Sequence, residues 1–280
     1  MTDPDAVARA AEGRDVVFHV AAKAGIWGPT EEYQRINVEG TRHVLNACRK
    51  HGVGRLVHTS SPSVVFNGRD MEGADESAPY PKHFDADYPR TKAEAEREVL
   101  AANGPDLATV ALRPHLIWGP GDNHLVPRIV ARARAGRLRR IGRENQPIDA
   151  TYIDNAAEAH ILAADRLAPG SAPAGRAYFI AQGEPVPVWD LVNRILKAAG
   201  LPPVTRTVPT GVALAAAGLL ESAYRTFGIH AEPPLTRFFV HQVTTAHWFD
   251  LTAARRDLGY SPRVSTAEGL ERLRDWFLSS

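Results

Sequence analysis

The sequence predicts an α/β protein, with a doubly wound parallel sheet in its first half and a smaller mixed α/β lobe in its second. Three observations carry this. Short apolar runs (Asp15-Val-Val-Phe-His-Val-Ala-Ala, Arg55-Leu-Val-His-Thr-Ser and Leu107 to Leu112) alternate with long helix-like stretches. The runs are continuous rather than alternating, which is how strands buried on both faces read, and such spacing gives right-handed βαβ crossovers. After residue 140 the alternation loosens, so residues 1–140 are assigned to the sheet and 141–280 mainly to the lobe.

The elements follow in order. Residues 4–12 read as a helix opening on Asp3-Pro4, with Asp3 as N-cap and Pro4 in the first turn, and stopping at Gly13. The first apolar run, 15–22, is a strand; residues 30–50 are a long helix closed by His51-Gly52; residues 55–60 are the next strand. A helix over 85–103, a strand over 107–112 and a helix over 123–137 complete the first half. Beyond it come Thr151-Tyr-Ile-Asp with a helix to Leu167, the strand Ala177-Tyr-Phe-Ile, a helix over 188–199, an apolar helix over 210–227 and a last helix over 266–278.

Composition narrows the function. Apolar residues make up 44% of the 280 and charged residues 23%, with a formal net charge of +1, so neither a disordered acidic chain nor a nucleic-acid binder is expected. The single cysteine, Cys48, allows no internal disulfide, and no CxxC, HExxH or Cys/His cluster offers a metal site. No secretory apolar core or membrane-length apolar run is present, so a cytoplasmic, reducing setting is expected. The basic run Arg132 to Arg143 reads as a solvated helix end, with a phosphate-bearing substrate or an acidic surface as the other reading; helix 210–227 reads as core or the lip of a hydrophobic pocket, with weak membrane-surface contact as the other reading.

The residues with chemistry start at Asp87-Tyr-Pro-Arg-Thr-Lys. Tyr88 and Lys92 are four apart on a helix and share a face, so an ammonium beside the phenol is expected to lower its pKa and let it trade protons near neutrality. Lysine is scarce, 5 against 28 arginines, which makes the spacing informative. Thr59-Ser60-Ser61 ends an apolar strand, where a hydroxyl can steady charge on a substrate oxygen or merely cap the strand. Asn37 lies on a helix face expected to be buried, as a holder of a proton-relaying water or as an ordinary amide bonded to backbone. His115, beside Arg113-Pro114, reads as a structural histidine, with an approach to the active site as the other reading.

Taken together, His19-Val-Ala-Ala, Asn37-Val-Glu-Gly-Thr, Thr59-Ser-Ser-Pro-Ser-Val, Tyr88-x-x-x-Lys92, Leu112-Arg-Pro-His-Leu-Ile-Trp-Gly-Pro-Gly and Asp149-Ala-Thr-Tyr-Ile-Asp-Asn resemble the extended short-chain dehydrogenase/reductases. The resemblance spans the whole chain and points to the 3β-hydroxysteroid dehydrogenase-like branch, with its sterol-4α-carboxylate 3-dehydrogenases and bacterial 2-alkyl-3-oxoalkanoate reductases. It implies a Rossmann-like sheet, NAD or NADP as cofactor, and oxidoreduction of a 3-oxo or 3-hydroxy group on a bulky, lipid-like or steroid-like substrate. It also implies roles: Tyr88 as acid/base, Lys92 as the residue that tunes it and holds the nicotinamide ribose, and Ser61 as the carbonyl-polarising hydroxyl with Ser60 as its fallback. Asn37 would hold the water, Ala21 and Ala22 would line the cofactor edge, and Pro114 would pack on the nicotinamide. A homodimer through helices 30–50 and 85–103 is usual in the family. A nucleotide-sugar epimerase or dehydratase, which shares the tyrosine and lysine, is the rival enzyme class.

One departure stands out. A dinucleotide site of this kind needs a glycine-rich turn after its first strand, and this sequence has none; Gly25-Ile-Trp-Gly28 lacks the spacing. The resemblance places the first strand here as the family's fourth, so the expectation is an N-terminally truncated sheet lacking its first β-α-β-α-β unit. Little or no catalysis by the 280 residues alone is expected, an inactive relative is the alternative, and the first strand is left as an apolar edge.

Overall fold

The computed structural model describes residues 1–279. Helix α1 (Pro4–Ala11) begins where its cap predicts, the Asp3 carboxylate accepting from the backbone N–H of Asp5 and Ala6. Strand β1 (Val16–His19) is shorter than its apolar run, because the chain leaves the sheet after His19. Residues 30–51 form one helix in three parts: α2 (Thr30–Tyr33), a π-helical stretch Gln34–Glu39, and α3 (Gly40–His51). Gly52 stops it at φ 66°, a left-handed conformation that glycine adopts without strain.

Strand β2 (Arg55–Thr59), a 3-10 turn at Pro62–Val65, β3 (Met71–Ala74), α4 (Asp87–Ala101), β4 (Ala108–Pro114), β5 (Ile117–Trp118) and α5 (Leu125–Arg134) follow. The second half adds β6 (Arg140–Ile141), β7 (Pro147–Ile148), β8 (Thr151–Tyr152), α6 (Ile153–Arg166), β9 (Arg176–Ile180), β10 (Val186–Pro187) and α7 (Val188–Ala198). It closes with β11 (Thr207–Val208), α8 (Thr210–Thr226), α9 (Arg237–Thr244), β12 (His247–Phe249), a π turn at Ala254–Leu258 and α10 (Thr266–Ser279).

The main sheet runs β1-β2-β4-β9 with every pairing parallel, as the fold class requires. Successive residues of β2 serve opposite faces: Leu56 packs with Val44, Leu45 and Val99, while Val57 joins Ala159 and Ala163 of α6. The boundary expected at residue 140 is not a spatial one. Both α6 and β9 lie beyond it, yet they complete the sheet and its second face. A second, mixed sheet, β10-β7-β12-β3, joins residues 247–249 to 71–74 and ties the lobe to the first half. The lobe has its own apolar cluster around Trp118, Tyr152, Trp189, Ile195 and Leu273. At the open edge of the main sheet, β1 leaves Phe18 and the following Val20 exposed.

Candidate active site

The carboxyl ends of β2 and β4 are neighbours in the sheet, Thr59 facing Leu112, so the segments that follow them border one cleft. That cleft, about 490 Å³, is lined by Ser60, Ser61, Tyr88, Pro114 and Leu116, and across from them by Ala24 to Trp27. The cleft thus gathers Tyr88, Ser61, Ser60 and Pro114, while Lys92 is not among the residues that line it.

Ser61 caps the short 3-10 turn, its Oγ accepting from the Ser63 backbone N–H at 3.2 Å and lying 2.9 Å from the Ser63 hydroxyl. Its hydroxyl borders the same cleft as the Tyr88 phenol. Ser60 is buried, and its Oγ has no protein partner. Lys92, one turn along α4 from Tyr88, is only 3% exposed; its Nζ donates to the Thr59 carbonyl at 2.6 Å and lies 3.3 Å from His58 Nε2. An ammonium has three N–H groups, so one is left uncommitted. Burial pulls the Lys92 pKa down from 10.5 to about 8, and pulls His58 well below the ordinary imidazole range.

The expected effect of Lys92 on Tyr88 is corrected in sign. Burial pushes the phenol above its ordinary value, and the neighbouring Ser61 hydroxyl opposes it only in part. Tyr88 is therefore a protonated phenol throughout the neutral range.

Asn37 makes the bonds of the second of its two readings. It sits in the π-helical stretch, buried, with Oδ1 accepting from the Lys23 N–H at 2.7 Å and Nδ2 donating to the Lys23 carbonyl and to Thr91 Oγ1. Its own carbonyl takes the Thr41 hydroxyl at 2.6 Å. This is the backbone-bonded amide, holding the loop after β1 against α4 rather than reaching Lys92. Ala21 is exposed and Ala22 half-buried, and neither borders the cleft; the wall comes three residues later, at Ala24. His115 combines its two readings: it borders the cleft, while its Nδ1 meets the Asp149 carbonyl at 2.8 Å and burial lowers its pKa to about 4.

Sequence reasoning missed three things. Leu116, between β4 and β5, has φ 41°, a left-handed conformation that costs a leucine about 1–2 kcal/mol and is of the kind found at binding clefts. Leu116 also borders a second, apolar cavity of about 300 Å³, walled by Ile129, Leu138, Ile148, Trp189 and Phe239, which shares lining residues with the first. Arg128 stands at the junction of the two, paired with Glu232. Only the apolar character of α5 and α7 signals this second space in the sequence.

A nicotinamide fits in part. The uncommitted Lys92 N–H and the unpartnered Ser60 hydroxyl are the kinds of group that hold a ribose or a substrate oxygen, and buried Pro114 offers a flat backbone edge. No described segment offers a glycine-rich turn for the pyrophosphate. Among the described residues no cluster of His, Cys, Asp or Glu could hold a metal, and no helix is long and apolar enough to cross a membrane.

Comparisons with known proteins agree with this architecture. The model of the 3-beta hydroxysteroid dehydrogenase/isomerase family matches residues 1–209. A 2-alkyl-3-oxoalkanoate reductase from Stenotrophomonas maltophilia (strain K279a) is 52% identical over 98% of this chain and 84% of its own. The decarboxylating sterol-4-alpha-carboxylate 3-dehydrogenase of Saccharomyces cerevisiae is 39% identical over 99% of this chain and 81% of its own. Among solved structures, a UDP-glucuronic acid 4-epimerase from Bacillus cereus in complex with NAD superposes with a TM-score of 0.72 at 22% identity, covering 98% of this chain and 77% of that one, a likeness of fold.

Proposed function

The chain belongs to the 3-beta hydroxysteroid dehydrogenase/isomerase family, and on that premise we propose that it is an NAD(P)-dependent oxidoreductase acting on the 3-oxo or 3-hydroxy group of a bulky, lipid-like acid. One observation carries the reading: Ser61 and Tyr88 line the same cleft, and that cleft shares its wall with an apolar cavity. Such a cavity suits an alkyl chain or a sterol and leaves little for a nucleotide sugar to hydrogen-bond. The named activities of the two relatives support the same substrate class.

In the reductive direction the bound nicotinamide supplies the hydride. The Tyr88 phenol gives its proton to the carbonyl oxygen as charge grows there, and the Ser61 hydroxyl steadies that oxygen. Lys92, anchored on the Thr59 carbonyl, is the residue we assign to the ribose. The raised pKa keeps the phenol in its acid form, the form that reduction consumes.

Further assignments rest on the same basis. Residues 1–140 with α6 and β9 serve the cofactor side, and the remainder serves the substrate. The exposed side chains Val212 and Leu219 of α8, with Phe227 just beyond it, support weak contact with a lipid surface. The buried, unpaired Cys48 suits a reducing cytoplasm, and the helices over 30–51 and 87–101 are the faces we assign to a homodimer.

The test is consumption of NADPH or NADH by the purified protein with 2-hexyl-3-oxodecanoate, alongside a fluorescence titration of the nicotinamide. Turnover that Tyr88→Phe removes supports the assignment. Cofactor binding without turnover on this acid, combined with a thermal shift from a UDP-sugar, would move the protein to the epimerases.

A further inference from the structure

Arg128 is among the residues that line both the cleft and the apolar cavity, as are Glu232, Leu116, Leu125, Gln242 and Phe238. Its guanidinium is 53% exposed on the side-chain scale and pairs with Glu232, whose Oε2 also stands against the Gly25 turn that walls the cleft opposite Tyr88. One turn further along α5, Arg132 borders the same cavity, donates to the Pro234 carbonyl at 2.9 Å and lies over the Phe239 ring.

Among the described residues lining the two spaces, these two guanidinium groups face one carboxylate, Glu232, so the junction carries one uncompensated positive charge. Burial and the neighbouring Arg128 lower the Arg132 pKa, and Glu232, the carboxylate the two share, offsets them only in part. An apolar cavity with a guanidinium at its neck is built for an amphiphile whose anionic group lies close to its reacting atom. In a 3-oxo acid the carboxylate is two bonds from the carbonyl carbon, and Arg128 borders the same cleft as Tyr88 and Ser61.

We infer that Arg128 is the substrate's carboxylate anchor and that Glu232 is an internal stand-in, which the substrate carboxylate displaces as the alkyl chain enters the apolar cavity. The inference rests on the proposed substrate class. It assigns Arg128 and Glu232 the selection of free acids over esters and simple ketones, because an uncharged head group cannot separate the pair. The exchange replaces one charge-assisted contact by another and leaves Glu232, itself partly exposed, to water.

Isothermal titration with 2-hexyl-3-hydroxydecanoate and with its methyl ester tests the inference on the wild type, Arg128→Gln and Glu232→Gln. The wild type should bind the acid about tenfold or more tightly than the ester, as one charge-assisted hydrogen-bonded contact provides. Arg128→Gln should bring the acid down to the ester's affinity while leaving the ester unchanged, which also shows that the variant is folded. Glu232→Gln, which frees the guanidinium, should tighten the acid several-fold. Equal binding of acid and ester by the wild type would overturn the anchor and leave the lipid reading standing, as would an Arg128→Gln effect of equal size on both probes. If neither probe bound while uridine diphosphate gave an Arg128-dependent thermal shift, the ligand would be a phosphate, and anchor and substrate class would fall together.

Discussion

At the residue scale the decisive group is Tyr88, and its raised pKa makes a directional prediction. Reduction needs the protonated phenol and should run at a rate independent of pH through neutrality. Oxidation of the 3-hydroxy acid needs the phenolate and should climb as pH rises; parallel initial-rate profiles in the two directions check this. Tyr88→Phe should lower turnover by between about a hundredfold and ten-thousandfold, with a circular dichroism spectrum unchanged. Lys92 gives a second prediction. Its folded pKa, about 8, lies below the ordinary 10.5, so between those values the unfolded chain binds the extra proton and stability must rise with pH. Holding the charged ammonium buried costs about 3 kcal/mol below pH 8, because each pH unit between the two values is worth about 1.4 kcal/mol. Urea denaturation across that window should show a rising midpoint in the wild type and a flatter one in Lys92→Met. The spacing of Tyr88 and Lys92 was legible in the sequence because four residues make one helical turn. Their pKa values were not, because burial is set by the strand ends and loops packed around α4, which spacing does not report.

At the scale of elements, α4 is held to the sheet by a buried cluster one turn beyond Lys92. Glu96 takes Arg113 of β4 at 2.7 and 3.0 Å and the Tyr80 hydroxyl at 2.6 Å. The carboxylate is fully buried, so removing one partner strands the other. Glu96→Ala should cost about 3–5 kcal/mol in a denaturant titration, and Glu96→Gln less, since the amide keeps the Arg113 contact as a neutral acceptor. The helix caps were readable: Asp3-Pro4 and His51-Gly52 mark the ends of α1 and α3 where the structure has them. The π-helical stretch around Asn37 was not, since one extra residue per turn leaves no trace in apolar periodicity. The second sheet was equally silent. Strands such as β7 and β10 are two residues long, too short to show a period of two, and α9 is brief and follows a Pro-Pro pair that reads as a turn.

At the scale of the whole molecule, the parallel order β1-β2-β4-β9 was legible from continuous apolar runs, whereas the way the halves close on each other was not. The Arg128 junction illustrates why. Its partner Glu232 is distant in sequence, and no local pattern in either segment announces the pair. The sheet's outer strand offers one further prediction. β1 pairs only with β2, and Phe18 and Val20 are exposed beside its free edge, a surface able to pair with other chains. Phe18→Lys should reduce light scattering on warming without moving the far-ultraviolet spectrum.

The pairing of β3 with β12 reaches beyond the folded state. Residues 71–74 wait for residues 247–249, and Met71, His247 and Phe249 all line the cleft. While the polypeptide is emerging from the ribosome, Tyr88 and Ser61 can already stand on their own helix and strand end, but their chamber has no far wall until residues 247–249 have followed. Contacts between such distant segments form late, so the chamber should close well after its first residues have folded.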